Sequence, residues 1–337
     1  MNATAGRDPR GHDPRAHEPQ GRGPQRAEPD WPTLRLADWK DSLETLHMWT
    51  QIVGKTRLAL APMQNHWWQV ALYISPRGLT TSAIPFGADV FSAEFDFIDH
   101  RLVLQTSGGA TRALALAPRT VADFHAEYLD VLQSLGIECR FARPSPVEVP
   151  VSIPFAQDHQ HASYDPDAAH RWWRILTSTN RVMDRFRSRF VGKASPAHFF
   201  WGSFDHATTR FSGRSAPTHP GGAPNCPDYV MQEAYSRECA SCGVWPGGGT
   251  YEEPAFYAYA YPEPAGYAQH PVATTAARYD PELREFVLPY DAVRDAADPD
   301  ATLLEFFQST YEAAADLAHW DREALERPNR ARPAESR

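Results

Sequence analysis

The sequence predicts an α+β protein of two related units, each running helix, strands, helix, with mostly antiparallel sheet and the marks of an internal duplication. Three observations predict it. Apolar residues at helical spacing open and close two separate blocks. Between the helices lie short segments that alternate with period two or read as brief apolar runs. The blocks also share local sequence: Val53-Gly54-Lys55 recurs as Val191-Gly192-Lys193, and the closing helices carry Asp123-Phe124 and Glu305-Phe306.

The first unit begins near Trp31. Asp38 stands as an N-cap, and Trp39, Leu43, Leu46 and Val53 follow at helical spacing. Gly54 falls where a helix end favours a left-handed residue, with Lys55 beside the carbonyl end. Strands are expected at 56–60, 66–74, 91–97, 101–106 and 111–116. Thr120, with Asp123 at the third helical position, caps a helix that stops at Gly136. The second unit opens with Asp165-Pro166, a cap followed by proline at the first helical position, and its helix runs to Val191. Strands are expected at 198–211, 255–261 and 285–289, and a last helix from about Pro299 to His319.

Residues 141–160 carry four prolines and read as a linker between a unit at 31–140 and a unit at 161–325. Residues 1–30 place proline at every fifth position and have almost no apolar side chain. Such a segment cannot offset its ordering entropy and reads as a disordered arm. Residues 326–337 read as a similar tail.

With 337 residues, the chain is long enough for one large domain or two of about 150 residues. Its net charge of -9 gives no footprint for nucleic acid or an anionic membrane, which need clustered surplus Lys and Arg. No apolar run reaches the ~18 residues of a membrane span, and no secretory signal opens the chain, so a cytoplasmic location is expected.

Familiar motifs fail. Gly54-Lys55-Thr56 resembles the end of a phosphate-binding loop, but Trp49 stands where the leading glycine belongs. Cys239-Ala-Ser-Cys242, with Cys226 and His219 upstream, is half of a zinc pattern, which is too little to assign a metal ligand. No motif names a cofactor.

The candidates are polar groups set among aromatics. His66, Trp68, Val70 and Leu72 share one face of the expected strand 66–74, beside Trp67, while Glu94 and Asp96 share a face of 91–97. A straight strand over 198–211 holds His198 and His206 ~26 Å apart, too far for one metal, unless a bend at Gly202 shortens the distance. That strand is apolar on both faces, so His198, Ser203 and Asp205 must be hydrogen-bonded or carry shifted pKa values. Tyr257, Tyr259 and Tyr261 project from one face and suit the wall of a ligand cleft. Each also fits a bland reading as satisfied core or ordinary sheet packing.

Six segments together resemble a bacterial family described only as a domain of unknown function, DUF5996. They are 46–55 (LHMWTQIVGK), 65–68 (NHWW), 94–100 (EFDFIDH), 161–166 (HASYDP), 198–205 (HFFWGSFD) and 308–312 (QSTYE). The resemblance covers about residues 31–325 and implies no activity, fold or ligand. The cysteines at 226, 239 and 242 are not part of its pattern.

Two classes of function follow. In the first, a cleft between the units binds a small molecule or acts on it. Trp67, Trp68, Trp201, Ser203, Tyr257 and Tyr259 would line it, with His66, His198, Asp205, Glu94 and Asp96 as acid–base groups. In the second, the chain is a non-catalytic scaffold or interaction module and the aromatics are core. Convergence of His66 and His198 in one open pocket favours the first; closure of each in a separate network favours the second.

Overall fold

The computed structural model describes residues 30–248 and 251–327; the expectations for residues 1–29 and 328–337 lie outside the described residues. The first unit opens with helix α1 (Lys40–Leu60). Six strands follow: β1 (Tyr73–Ile74), β2 (Gly78–Thr80), β3 (Ile84–Phe86), β4 (Asp89–Asp96), β5 (Arg101–Thr106) and β6 (Thr111–Ala115). They form an antiparallel sheet in the order β1-β2-β4-β5-β6, with β3 on β4. Helix α2 (Val121–Ser134) closes the unit, with the Thr120 side chain accepting the Asp123 amide and Gly136 left-handed at φ 73°, as the spacing predicts.

The second unit opens with α3 (Pro166–Arg187), capped by Asp165. After β7 (His198–Phe200), β8 (Asp205–Ser215), the short helix α4 (Asp228–Ala234) and β9 (Arg237–Trp245) come β10 (Ala255–Tyr261), β11 (Arg278–Asp280) and β12 (Glu285–Pro289). These strands are also antiparallel, in the order β11-β12-β10-β9-β8-β7. The chain ends with α5 (Tyr290–Arg294), α6 (Pro299–Leu317) and α7 (Arg322–Leu325). The sheets touch at one antiparallel bridge, where Leu72 and Phe199 exchange two 2.8 Å backbone hydrogen bonds. Buried apolar residues of both units form one continuous cluster.

Several local expectations are corrected. Asp38 ends a 3₁₀ turn, and α1 begins behind Trp39 without a side-chain cap. Gly54 does not end α1, which runs through the expected strand 56–60. The glycine serves the packing: a Cβ there would stand 2.2 Å from the indole of Trp201. Alanine propagates a helix better by about 1 kcal/mol, but overpacking costs about 1–3 kcal/mol. Gly54→Ala is therefore expected to lower the thermal unfolding temperature, and a rise would show that the contact yields.

The strand expected at 66–74 is instead a 3₁₀ segment, Asn65–Val70, with His66 and Trp67 left-handed at φ 59° and 62°. Only Tyr73–Ile74 is strand, so period-two parity does not order His66, Trp68 and Val70. The run 198–211 folds back on itself at 201–204, with Phe204 at φ 59°, and Phe199 pairs with His206. The ~26 Å separation expected of a straight strand thus does not apply. Helix α3 stops at Arg187, so Val191-Gly192-Lys193 follows a helix whereas Val53-Gly54-Lys55 lies inside one. The shared tripeptide does not mark equivalent positions. Strand β9, with its small and cysteine-rich sequence, gave no periodic signal and was not expected.

Candidate functional site

The second sheet has two unlike faces because side chains alternate along each strand. One face packs on α3 and α6. There Arg210 lies 3.5 Å from the ring centroid of Phe186 and 4.2 Å from that of Tyr311, and His206 meets Asn180 at 3.1 Å. The other face carries Asp205, Thr209, Ser241, Tyr257 and Tyr259, and one step beyond the Ala258–Phe286 pair it carries Glu285. Tyr257 and Tyr259 stack with ring centroids 6.1 Å apart. Tyr235, at the end of α4, meets the Tyr259 hydroxyl at 2.7 Å. Gly243 makes room for this floor, since a Cβ there would lie 2.4 Å from the Tyr257 hydroxyl.

Asp205 is the hub. Its Oδ1 accepts the Ser203 hydroxyl at 2.6 Å and its Oδ2 accepts the Tyr257 hydroxyl. Burial raises its pKa, against the pull of those two donors. The Ser203 hydroxyl also lies near the Glu148 carboxyl and draws its pKa down, against burial. Burial first, and the Asp205 charge second, push Glu148 up to about 7. Burial, then Asp205 and Asp280, push Glu285 up to about 8. The result is a carboxyl pair in which Glu148, raised toward neutrality, faces the charge of an Asp205 fed by two hydroxyls. Tyr257→Phe removes one donor to the buried hub and is expected to cost about 1–3 kcal/mol in urea unfolding; an unchanged midpoint would refute that bond.

Glu148 is placed by the proline-rich segment between the units. The Gln51 side chain of α1 donates to Val147 O and accepts Val147 N, both at 2.9 Å, pairing with the backbone as another strand would. Glu148 N donates to Pro224 O at 2.7 Å, and Asn225 Nδ2 to Val149 O at 2.7 Å. Glu148 is held left-handed at φ 58°, an unfavourable conformation for a side chain with a Cβ. Its carboxyl occupies the space a side chain at Gly202 would fill, 2.6 Å from that Cβ position.

Residues 31–327 match the model of a family of unknown function, DUF5996. The chain belongs to this family. No curated protein and no solved structure matches it. Among the described residues of this DUF5996 chain, no helix is long and apolar enough to cross a membrane.

Of the residues singled out from sequence, the fold brings Asp205, Ser203, Tyr257 and Tyr259 together. Trp201 stands beside them, its Nε1 donating to Val70 O at 2.8 Å. The others lie elsewhere. His66 donates from Nδ1 to Ala234 O at 2.8 Å and accepts Lys193 Nζ at 2.8 Å. Burial and the Lys193 charge lower its pKa. Lys193 also lies 5.4 Å over the ring of Trp68, and Trp67 packs on Tyr229. His198 is 1% exposed, leaves Nδ1 unpaired and packs on Phe200 at 4.3 Å; burial pushes it down to about 3. Glu94 accepts the Ser75 hydroxyl at 2.5 Å. Asp96 is 2% exposed, and burial works to raise its pKa. Arg77 at 2.7 Å and the amides of Ile98 and Asp99 outweigh burial and hold it below the usual carboxylate value. His66 and His198 both meet Trp68, at 5.2 and 6.4 Å between ring centroids, without a shared hydrogen-bond partner among the described residues, and Glu94 and Asp96 belong to the first sheet.

Sequence reasoning missed Glu148, Glu285 and Gln51, whose roles arise from contacts across long stretches of chain. It also weighed zinc at the C-x-x-C pair, but Cys239 and Cys242, three apart on β9, take opposite faces of the sheet. Among the described residues no His, Cys, Asp and Glu side chains gather as a metal set.

Proposed function

We propose that this chain binds a small molecule on the tyrosine floor of its second sheet and moves protons on it with Glu148 and Asp205. The observation that supports this reading is the close carboxyl pair Glu148 and Asp205, with Glu148 raised to about 7 by burial and the Asp205 charge. A carboxyl poised near neutrality is effective as both donor and acceptor at physiological pH. Asp205, held by two hydroxyls, is the partner that keeps Glu148 protonated. The tyrosines supply flat apolar surface with hydroxyl tips, suited to a neutral or hydroxylated ligand body. The histidines named from sequence have no part in it: His66 is bonded to Ala234 and Lys193, and His198 is sealed against Phe200 and Trp68.

The test is conversion of a small-molecule extract followed by mass spectrometry. Wild type is expected to consume at least one component that Glu148→Gln retains but does not convert. If neither protein alters the extract, and carboxyl infrared spectroscopy finds Glu148 titrating at its ordinary value, the acid–base reading falls and the scaffold reading takes its place.

A further inference from the structure

Lys55 is the least explained cation near this site. It lies on α1 directly after Gly54 and is only 4% exposed. Its Nζ sits 5.6 Å over the ring of Trp201, and among the described residues it has neither a hydrogen bond nor a carboxylate partner. The titratable groups that it feels are the Cys226 thiol and the Arg143 guanidinium, the latter a second positive charge. A buried ammonium without a counter-charge costs several kcal/mol, and a ring face returns only part of that.

The Gly54 backbone is pressed against Trp201 and so fixes the ring that the Lys55 ammonium faces. Trp201 precedes Gly202 and Ser203, which border the Glu148 carboxyl, and Cys226 feels both Glu148 and Lys55. Arg143 comes from the same proline-rich segment as Glu148. The site thus sets the raised Glu148 carboxyl near a positive edge that has no carboxylate partner among the described residues.

We infer that Lys55 anchors the oxyanionic group, carboxylate or phosphate, of the small molecule that binds at the Glu148–Asp205 pair. The inference rests on the acid–base reading only for the identity of the site. The ligand then carries one anionic end on Lys55 and a neutral body over the tyrosines.

Thermal unfolding of the full chain at fixed ionic strength tests this, with 4-hydroxybenzoate, inorganic phosphate and uncharged 4-hydroxybenzamide as probes. Binding to the native state alone raises the unfolding temperature as probe concentration passes Kd. Wild type is expected to gain several degrees with one of the oxyanions and nothing with the amide, and the oxyanion that acts identifies the group. Lys55→Met is expected to melt above wild type without probe and to lose the response, while Lys55→Arg keeps part of it. The readout is binding without turnover, so failure of the acid–base reading leaves this result standing. Should Lys55→Met not fold, acetylation of wild-type Lys55 by a soluble anhydride, read by mass spectrometry against Lys193, gives the answer: the active oxyanion slows it several-fold. Equal responses in wild type and Lys55→Met, or no response and no protection with either oxyanion, overturn the inference.

Discussion

Glu148→Gln is expected to stabilise the protein above pH 7 and to leave it nearly unchanged at pH 5. Burial and the neighbouring Asp205 charge raise the folded-state pKa from 4.5 to about 7. A carboxyl whose folded pKa lies above its unfolded one contributes stability that is complete below pH 4.5 and is lost as pH rises through about 7. At pH 8 the native state must carry the charge beside Asp205, and the 2.5-unit difference corresponds to on the order of 3 kcal/mol, less for a side chain that is only half-buried. Glutamine imitates the protonated form and removes that loss, so urea unfolding from pH 5 to 8 should show a flatter profile for the variant. The left-handed backbone at residue 148 is unchanged by the substitution, which isolates the charge. A variant weaker than wild type at both pH values would mean that Glu148 is an ionised structural acceptor, and the acid–base reading would be wrong.

The opposite dependence is expected from the buried histidines. Burial pushes His198 down to about 3 and His47 and His206 each to about 4. A base whose folded pKa is depressed contributes stability that is complete above its unfolded value near 6.5 and is lost as pH falls through the folded value. His198→Leu keeps an apolar side chain beside Phe200 and removes both the unpaired Nδ1 and one proton taken up on unfolding. Relative to wild type the variant is expected to gain about 2–3 kcal/mol between pH 6.5 and 4.5. The comparison isolates His198, because the carboxyls that titrate in the same range are common to both proteins. A wild-type and variant difference that stays constant with pH would show that His198 is protonated in the native state.

Much of the scaffold was legible in the sequence wherever the signal is local. Thr120 with Asp123, and Asp165 with Pro166, are short-range chemistry, and both helices begin where those residues say. Strands β5, β6, β10 and β12 followed from alternation and stand within one residue of their expected places. The failures have a common physical origin in packing at a distance. Gly54 looks like a helix stop until Trp201, far along the chain, is seen lying against it. The run 198–211 reads as one apolar strand in which Gly202 marks only a place for a bend, and the full fold-back, with Phe204 at positive φ, depends on packing. The site follows the same division. Asp205, Ser203 and the tyrosines were visible as polar groups in aromatic strands, whereas Glu148 lies in a segment whose prolines suggest a featureless connector. Its role depends on Gln51, almost a hundred residues earlier.

That tethering changes how the chain should respond to a protease. A protease needs a stretch of backbone free to enter its cleft, and surface loops normally supply one. Here the connecting segment is fastened to α1 by Gln51, to the loop before α4 through Pro224 and Asn225, and to itself through Phe155 N and Pro144 O at 2.9 Å. The seam between the two halves is therefore among the last places to be cut. Were it cut, the halves would still be held by the Leu72–Phe199 bridge and the shared core, and would be released as a pair.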